Sequence, residues 1–132
     1  AISMEGALKL KEISYIHCES YSSGELKHGT ISLIEKGSPV IGLLSQEELA
    51  GKSISNIHEV RSRGAKSFAI TMEGISIEEE DFAGSLSVPK THPLFAGSLL
   101  VLPLQFLSYQ VSLLKGFDPD KPRNLAKSVT VE

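Results

Sequence analysis

The chain has 132 residues, 41% hydrophobic and 22% charged, a balance that suits one globular domain with a core and excludes disordered and collagen-like chains. Its formal net charge of -3 argues against a domain built to neutralise nucleic-acid phosphates, which needs a dense Lys/Arg face. The single cysteine, Cys18, excludes an internal disulfide and a multi-thiolate zinc site, and it favours a reducing, cytoplasmic compartment.

Taken in order, residues 3–15 read as a helix. Ser3 is placed to cap it, and Lys9 and Glu12 stand three apart on one face. Residues 16–21 (IHCESY) read as a short strand, followed by a turn at Ser22–Gly24 and one helical turn over Glu25–His28. A short apolar segment, Ile31–Ile34, ends at Gly37. Next, Pro39–Leu44 (PVIGLL) is an apolar run of strand length, suited to a strand buried on both faces. Ser45 with Glu48 forms the pattern of a capping box for a helix carried by Leu49, Ile54, Ile57 and Val60 and stopped at Gly64. Residues 66–72 give a further strand. The acidic segment Glu73–Gly84 reads as a solvated loop and Leu86–Val88 as a brief strand. A long helix follows from about residue 93 to 115, closed by Gly116. Asp118–Pro122 is a turn-rich link to a tail.

Alternation of strand and helix implies parallel pairing and right-handed crossovers, hence a three-layer α/β/α sandwich with a mainly parallel sheet. A doubly wound sheet usually starts on a strand, whereas this chain starts on Ala1 and a helix. The expectation is a fragment of a longer protein, lacking its first strand. Neither a basic-then-apolar signal nor an Arg-rich amphipath marks the N-terminus. The 22 uncharged residues Pro93–Leu114 meet the length of about 20 residues for a bilayer span. Pro103, Gln105, Gln110 and three serines interrupt them, so a core or subunit-interface helix is the better reading.

Several motifs come back negative. Gly51-Lys52-Ser53 resembles the end of a phosphate-binding P-loop, but Gln46 stands where the first glycine belongs and the residues lie within the predicted helix. His17, Cys18 and Glu19 are adjacent rather than at ligand spacing, so no metal is expected. No dinucleotide fingerprint or cofactor motif is present. His58 and His92 have no reactive neighbour in sequence.

EGALKLKEISYIH and GELKHG near the N-terminus, with PRNLAKSVTVE at the C-terminus, cover about a quarter of the chain. They closely resemble the last part of the glucosamine-6-phosphate synthases, the isomerising glutamine:fructose-6-phosphate amidotransferases. The segments EVRSRG and PLQFLSYQVSLLKGFDPDKPRN agree in pattern. The resemblance implies a second sugar-isomerase (SIS) domain of flavodoxin-like α/β type spanning residues 1–132, with residues 117–132 as a catalytic tail. Thr30 departs from the family, which often has proline after KHG.

Carried onto matching residues, the resemblance implies that fructose 6-phosphate and glutamine-derived ammonia give glucosamine 6-phosphate. Glu12 matches the base that shifts a proton between C1 and C2. Lys127 matches the lysine that forms a Schiff base with the keto sugar, and His28 matches the ring-opening acid/base, which reaches a neighbouring subunit and so implies a homodimer. Lys9 resembles a supporting cation, and Ala126 a backbone contact to the sugar. The glutaminase domain and the first SIS domain, with its phosphate-gripping loops, are not in this sequence, so the expected fragment would be inactive alone. Two other readings stay open: a phosphosugar-binding regulatory SIS module, or a dimerisation scaffold without catalysis.

Overall fold

The computed structural model describes residues 1–125. Two compact units divide the chain, Ala1–Ser20 with Val101–Glu132, and Tyr21–Leu100.

The second unit carries the sheet. Strands β1 (Pro39–Leu44), β2 (Lys66–Met72) and β3 (Gly84–Val88) lie in the order β1-β2-β3. Both neighbouring pairs are parallel, with Ile41 opposite Phe68 and Phe68 opposite Gly84. Parallel neighbours need a crossover; helix α1 (Ile2–Lys9) belongs to the first unit, and α2 (Glu47–Ser62) makes the crossover between β1 and β2. The expected α/β class with a parallel sheet is therefore what the chain adopts. Leu44, Ile57, Ala69 and Phe82 form the core, with Ile54, Ile75 and Ile77 packed against it; burying each large side chain contributes about 1.5–3 kcal/mol.

Helix α2 carries Glu47 and Glu48 in its first turn and Arg61 in its last, which suits the helix dipole at both ends. Just past it, Gly64 adopts φ +97°, and a Cβ there would sit 2.9 Å from Lys36 Cα. Only glycine accepts both the left-handed backbone and the close approach.

Four local expectations are corrected in this unit or at its edge. Residues 16–21 form no strand. Ser45 and Glu48 make no capping box, because the residue capping α2 is Gln46 and no side chain bonds there. β1 is only partly covered, with Leu44 alone fully buried, since it lies at the edge of the described sheet. The acidic segment is not wholly solvated: it contains a 3-10 turn at Glu79–Asp81, and Asp81 Oδ1 and Oδ2 lie 2.7 Å from Arg61 Nη1 and His58 Nε2.

The first unit joins helix α1 (Ile2–Lys9) to most of α3 (Ala96–Leu114). Ser3 lies inside α1 rather than capping it; its hydroxyl instead accepts from Ser20 Oγ at 2.6 Å. A Cβ on Gly6 would fall 2.7 Å from Leu104 Cδ1 and 2.9 Å from Leu104 Cβ. The two helices thus approach closely because residue 6 has no side chain. The long helix is α-helical from Ala96, after a 3-10 turn at Pro93–Phe95, and Gly116 ends it at φ +74°. Leu104, Ser108 and Ser112 form its buried stripe, whereas Leu102, Phe106, Tyr109 and Leu113 are exposed. Pro93–Leu114 is long and apolar enough to cross a membrane by length and composition, yet its buried residues include Ser108 and Ser112 as well as Leu100 and Leu104, and several of its large apolar side chains are exposed.

Candidate functional site

α1 does not run on as one α-helix to residue 15. After Lys9 the backbone widens into a π turn, Leu10–Ser14, and stops at Tyr15, a non-glycine residue at φ 57°. Turns of this kind recur at functional sites. The helical spacing brings three charges together: Lys9 Nζ donates to Glu12 Oε2 at 2.7 Å and lies 3.6 Å from Glu5 Oε1. The hydrogen bond with Glu12 raises the Lys9 pKa above 10.5; burial opposes this, and the charges of Glu12 and Glu5 add to it. Lys9 is therefore an ammonium at neutral pH, fitted to support charge rather than to act as a nucleophile. Both side chains are about one-third exposed or less, so the pair adds under about 1 kcal/mol to stability, and its interest is chemical.

A helix end leaves carbonyls without partners. Here α3 and the residue that follows it supply partners. Ser112 Oγ donates to the Ile13 carbonyl at 2.8 Å and Lys115 Nζ to the Ser14 carbonyl at 2.7 Å, while Ser14 Oγ donates to the Leu10 carbonyl at 2.6 Å. The Lys115 charge also suits the negative end of the helix dipole. Beyond this, the Tyr15 ring receives the edge of Phe117 at 4.9 Å between centroids and the Arg123 guanidinium at 4.0 Å. The Tyr15 hydroxyl accepts from the Arg123 backbone N–H at 2.8 Å.

The structure thus brings together two of the residues singled out in the sequence, Lys9 and Glu12. His28 lies in the other compact unit. There it is exposed at the end of a 3-10 turn, Leu26–His28, with its N–H donating to the Glu25 carbonyl at 3.0 Å. Thr30 opens the next 3-10 turn and donates from Oγ1 to the Leu26 carbonyl at 3.2 Å, a tie that proline would not make. Ala126 and Lys127 lie outside the described residues. Sequence reading missed Ser112, Lys115, Tyr15 and Arg123 as supports of this helix end. Their partners are about a hundred residues apart in the chain, and no local spacing announces such contacts.

Other groups fit less well. Gly51, Lys52 and Ser53 lie inside α2, away from any loop that could wrap a phosphate. A cavity of about 70 Å³ between Leu43–Gln46 and Leu49–Ser53 is far below the ~300 Å³ of a typical small-molecule site. Burial pushes the Cys18 thiol pKa up, outweighing nearby Lys11, which disfavours a thiolate nucleophile. Among the described residues no group of His, Cys, Asp and Glu is arranged to hold a metal. His92, without a partner in sequence, accepts from the Leu94 N–H through Nδ1 at 3.3 Å and so caps the turn before α3.

Residues 1–115 match the SIS domain family. A glutamine–fructose-6-phosphate aminotransferase (isomerizing) of Clostridium tetani is 58% identical over all 132 residues, and the chain spans 22% of that relative's length. Among solved structures, the C-terminal domain of glucosamine-fructose-6-phosphate aminotransferase from Francisella tularensis superposes with a TM-score of 0.85 at 41% identity, covering 91% of this chain and 34% of that one. A glucosamine-6-phosphate deaminase from Thermotoga maritima gives 0.70 at 29% identity, covering 97% of this chain and 36% of that one.

Proposed function

The chain belongs to the SIS domain family, and on that premise we propose that it is the second sugar-isomerase domain of an isomerising glutamine:fructose-6-phosphate aminotransferase, acting in hexosamine synthesis. In this reading residues 1–132 are one SIS domain and residues 117–132 its catalytic tail. The substrate is fructose 6-phosphate, the nitrogen comes as ammonia from glutamine, and the product is glucosamine 6-phosphate. The first SIS domain and the glutaminase domain are contributed by other parts of the whole protein, which works as a cytoplasmic homodimer.

The chemistry follows from side-chain properties. His28 opens the sugar ring as an acid/base, since imidazole exchanges protons near neutral pH. The Lys127 amine, in neutral form, adds to the C2 carbonyl with loss of water, and ammonia then displaces it to leave a C2 imine. Glu12 takes a proton from C1 and returns one at C2, while the proton of the C1 hydroxyl passes to the imine nitrogen, leaving the C2 amine and the C1 aldehyde. Lys9 holds Glu12 Oε2, so Oε1 is the oxygen we assign to the proton shuttle, with the ammonium fixing its orientation and stabilising negative charge as it develops. Ala126 offers backbone contacts to the sugar.

The observation that carries this reading is the Lys9–Glu12 pair at 2.7 Å on a π-turned helix end, within a chain 58% identical to an enzyme of that name. In the whole protein, Glu12→Gln keeps the shape and removes the base. Its kcat for glucosamine 6-phosphate formation is expected to fall by about 10²–10⁴, and wild-type turnover in this variant would overturn the reading. The 132-residue chain alone is expected to show no conversion of fructose 6-phosphate to glucose 6-phosphate, and full turnover would refute its role as a dependent part.

A further inference from the structure

We propose that Tyr15 and Arg123 are positioning residues: they clamp the root of the C-terminal tail onto the turn that follows Glu12 and thereby limit where Lys127 can reach. The proposal rests on the assignment of Lys127 and Glu12 above and adds two residues that assignment does not use.

The contacts converge on one side chain. The Tyr15 hydroxyl accepts from the Arg123 N–H at 2.8 Å, the Arg123 guanidinium stands 4.0 Å from the same ring, and Phe117 meets that ring edge-on at 4.9 Å. Lys115 ties the preceding residues down through the Ser14 carbonyl at 2.7 Å and stands 5.3 Å from the Phe117 ring. The path between is stiffened as well. Asp118 accepts from Asp120 N–H through Oδ1 at 3.0 Å and from Lys121 N–H through its carbonyl at 3.2 Å, and Pro122 fixes its own φ just before Arg123.

Tyr15 itself sits at φ 57°, a left-handed backbone that costs a residue with a side chain about 1–2 kcal/mol. The ring is thereby aimed at the returning C-terminal segment. Lys127 follows Arg123 by four positions, a tether whose covalent length alone cannot exceed about 14 Å, and Tyr15 is three residues beyond Glu12. Holding a nucleophile within such a radius of its reaction partner raises the rate of encounter without any contact to substrate.

The test uses the whole enzyme with Tyr15→Phe, Tyr15→Leu, Arg123→Ala and the Tyr15→Leu/Arg123→Ala double variant. Borohydride trapping of the imine at Lys127 with fructose 6-phosphate is measured beside kcat, KM and hydrogen exchange at the Arg123 amide. Tyr15→Leu and Arg123→Ala are each expected to slow trapping and kcat about tenfold or more, with sugar KM moved less than about twofold. The double variant is expected to lose no more than the worse single one, as for two halves of one device. Unchanged trapping in both single variants, losses that multiply in the double, or a raised KM at unchanged trapping would each overturn the clamp. Should Tyr15→Leu not fold, Tyr15→Phe carries the comparison: it keeps the ring, and faster Arg123 amide exchange with slower trapping supports the proposal, whereas wild-type values for both sink it. If the parent enzyme traps no imine at Lys127, the functional assignment fails instead, and Arg123 amide exchange in Tyr15→Phe still decides whether the clamp exists.

Discussion

At the residue scale, a cation next to the carboxylate proposed as the base raises the question of whether it is there for folding or for chemistry. The Lys9–Glu12 pair is partly exposed, and such pairs contribute little to stability. Lys9→Met is therefore expected to lower the unfolding free energy by less than about 1 kcal/mol while reducing kcat/KM of the whole enzyme about tenfold or more; urea titration and steady-state kinetics on one preparation measure both. Asp81 is the opposite case. Partial burial pushes its carboxyl up, but hydrogen bonds with His58 and Arg61, and their charges, outweigh that and hold it below 3.8. A depressed carboxyl contributes stability that is fully present above its unfolded value and is lost as pH falls through its folded one. Wild-type protein is thus expected to lose this contribution below pH 3.8, and Asp81→Asn to flatten that acid limb of the denaturation midpoint against pH. An unchanged acid limb would show that the cluster is not coupled to folding. None of these three partners could be paired from sequence, because Arg61 and Asp81 are brought together by a strand that intervenes between them.

Elements were legible where local pattern and tertiary demand coincide. The bounds of β1 and β2 match the apolar runs PVIGLL and KSFAITM, and the parallel pairing follows from alternation with helices. Residues 16–21 alternate much as a strand does but remain irregular, since a strand exists only when a neighbour supplies its hydrogen bonds. Ser3 and Ser45 have the right chemistry for caps, yet Ser3 is drawn to Ser20, and the chain turns helical at Glu47 behind Gln46. Packing can be tested by glycine. Gly6→Ala drives a methyl into the Cβ end of Leu104 and is expected to cost about 1–3 kcal/mol. Gly51→Ala, in the middle of α2 with open space around it, is expected to add up to about 1 kcal/mol. Thermal unfolding of the two variants should therefore move in opposite directions. Ser112→Ala, which orphans the Ile13 carbonyl, is expected to cost about 1–3 kcal/mol.

For the whole molecule, the fold class was readable from sequence, and so was one contact of the proposed site. Lys9 and Glu12 sit three residues apart on one helix, where spacing alone predicts their contact. His28 belongs to a different compact unit, and what joins distant parts of a chain is written in packing rather than in spacing. The exposed stripe Leu102, Phe106, Tyr109 and Leu113 supports the proposed homodimer, because exposed apolar side chains in one row favour burial against a partner. Sedimentation of the whole enzyme is expected to give a dimer, and Phe106→Glu to shift it towards monomer; a dimer unaffected by this charge would remove α3 from the interface.

The π turn over Leu10–Ser14 has an evolutionary consequence. Deleting one residue from it would let α1 continue as ordinary α-helix, turning everything that follows by about 100°. The carbonyls now bonded by Ser112 and Lys115 would find partners within their own helix, and Tyr15 would leave its left-handed backbone. Such a deletion would make a better helix that aims Tyr15 in the wrong direction, so a search for thermostable variants would tend to discover it and a search for active ones to discard it.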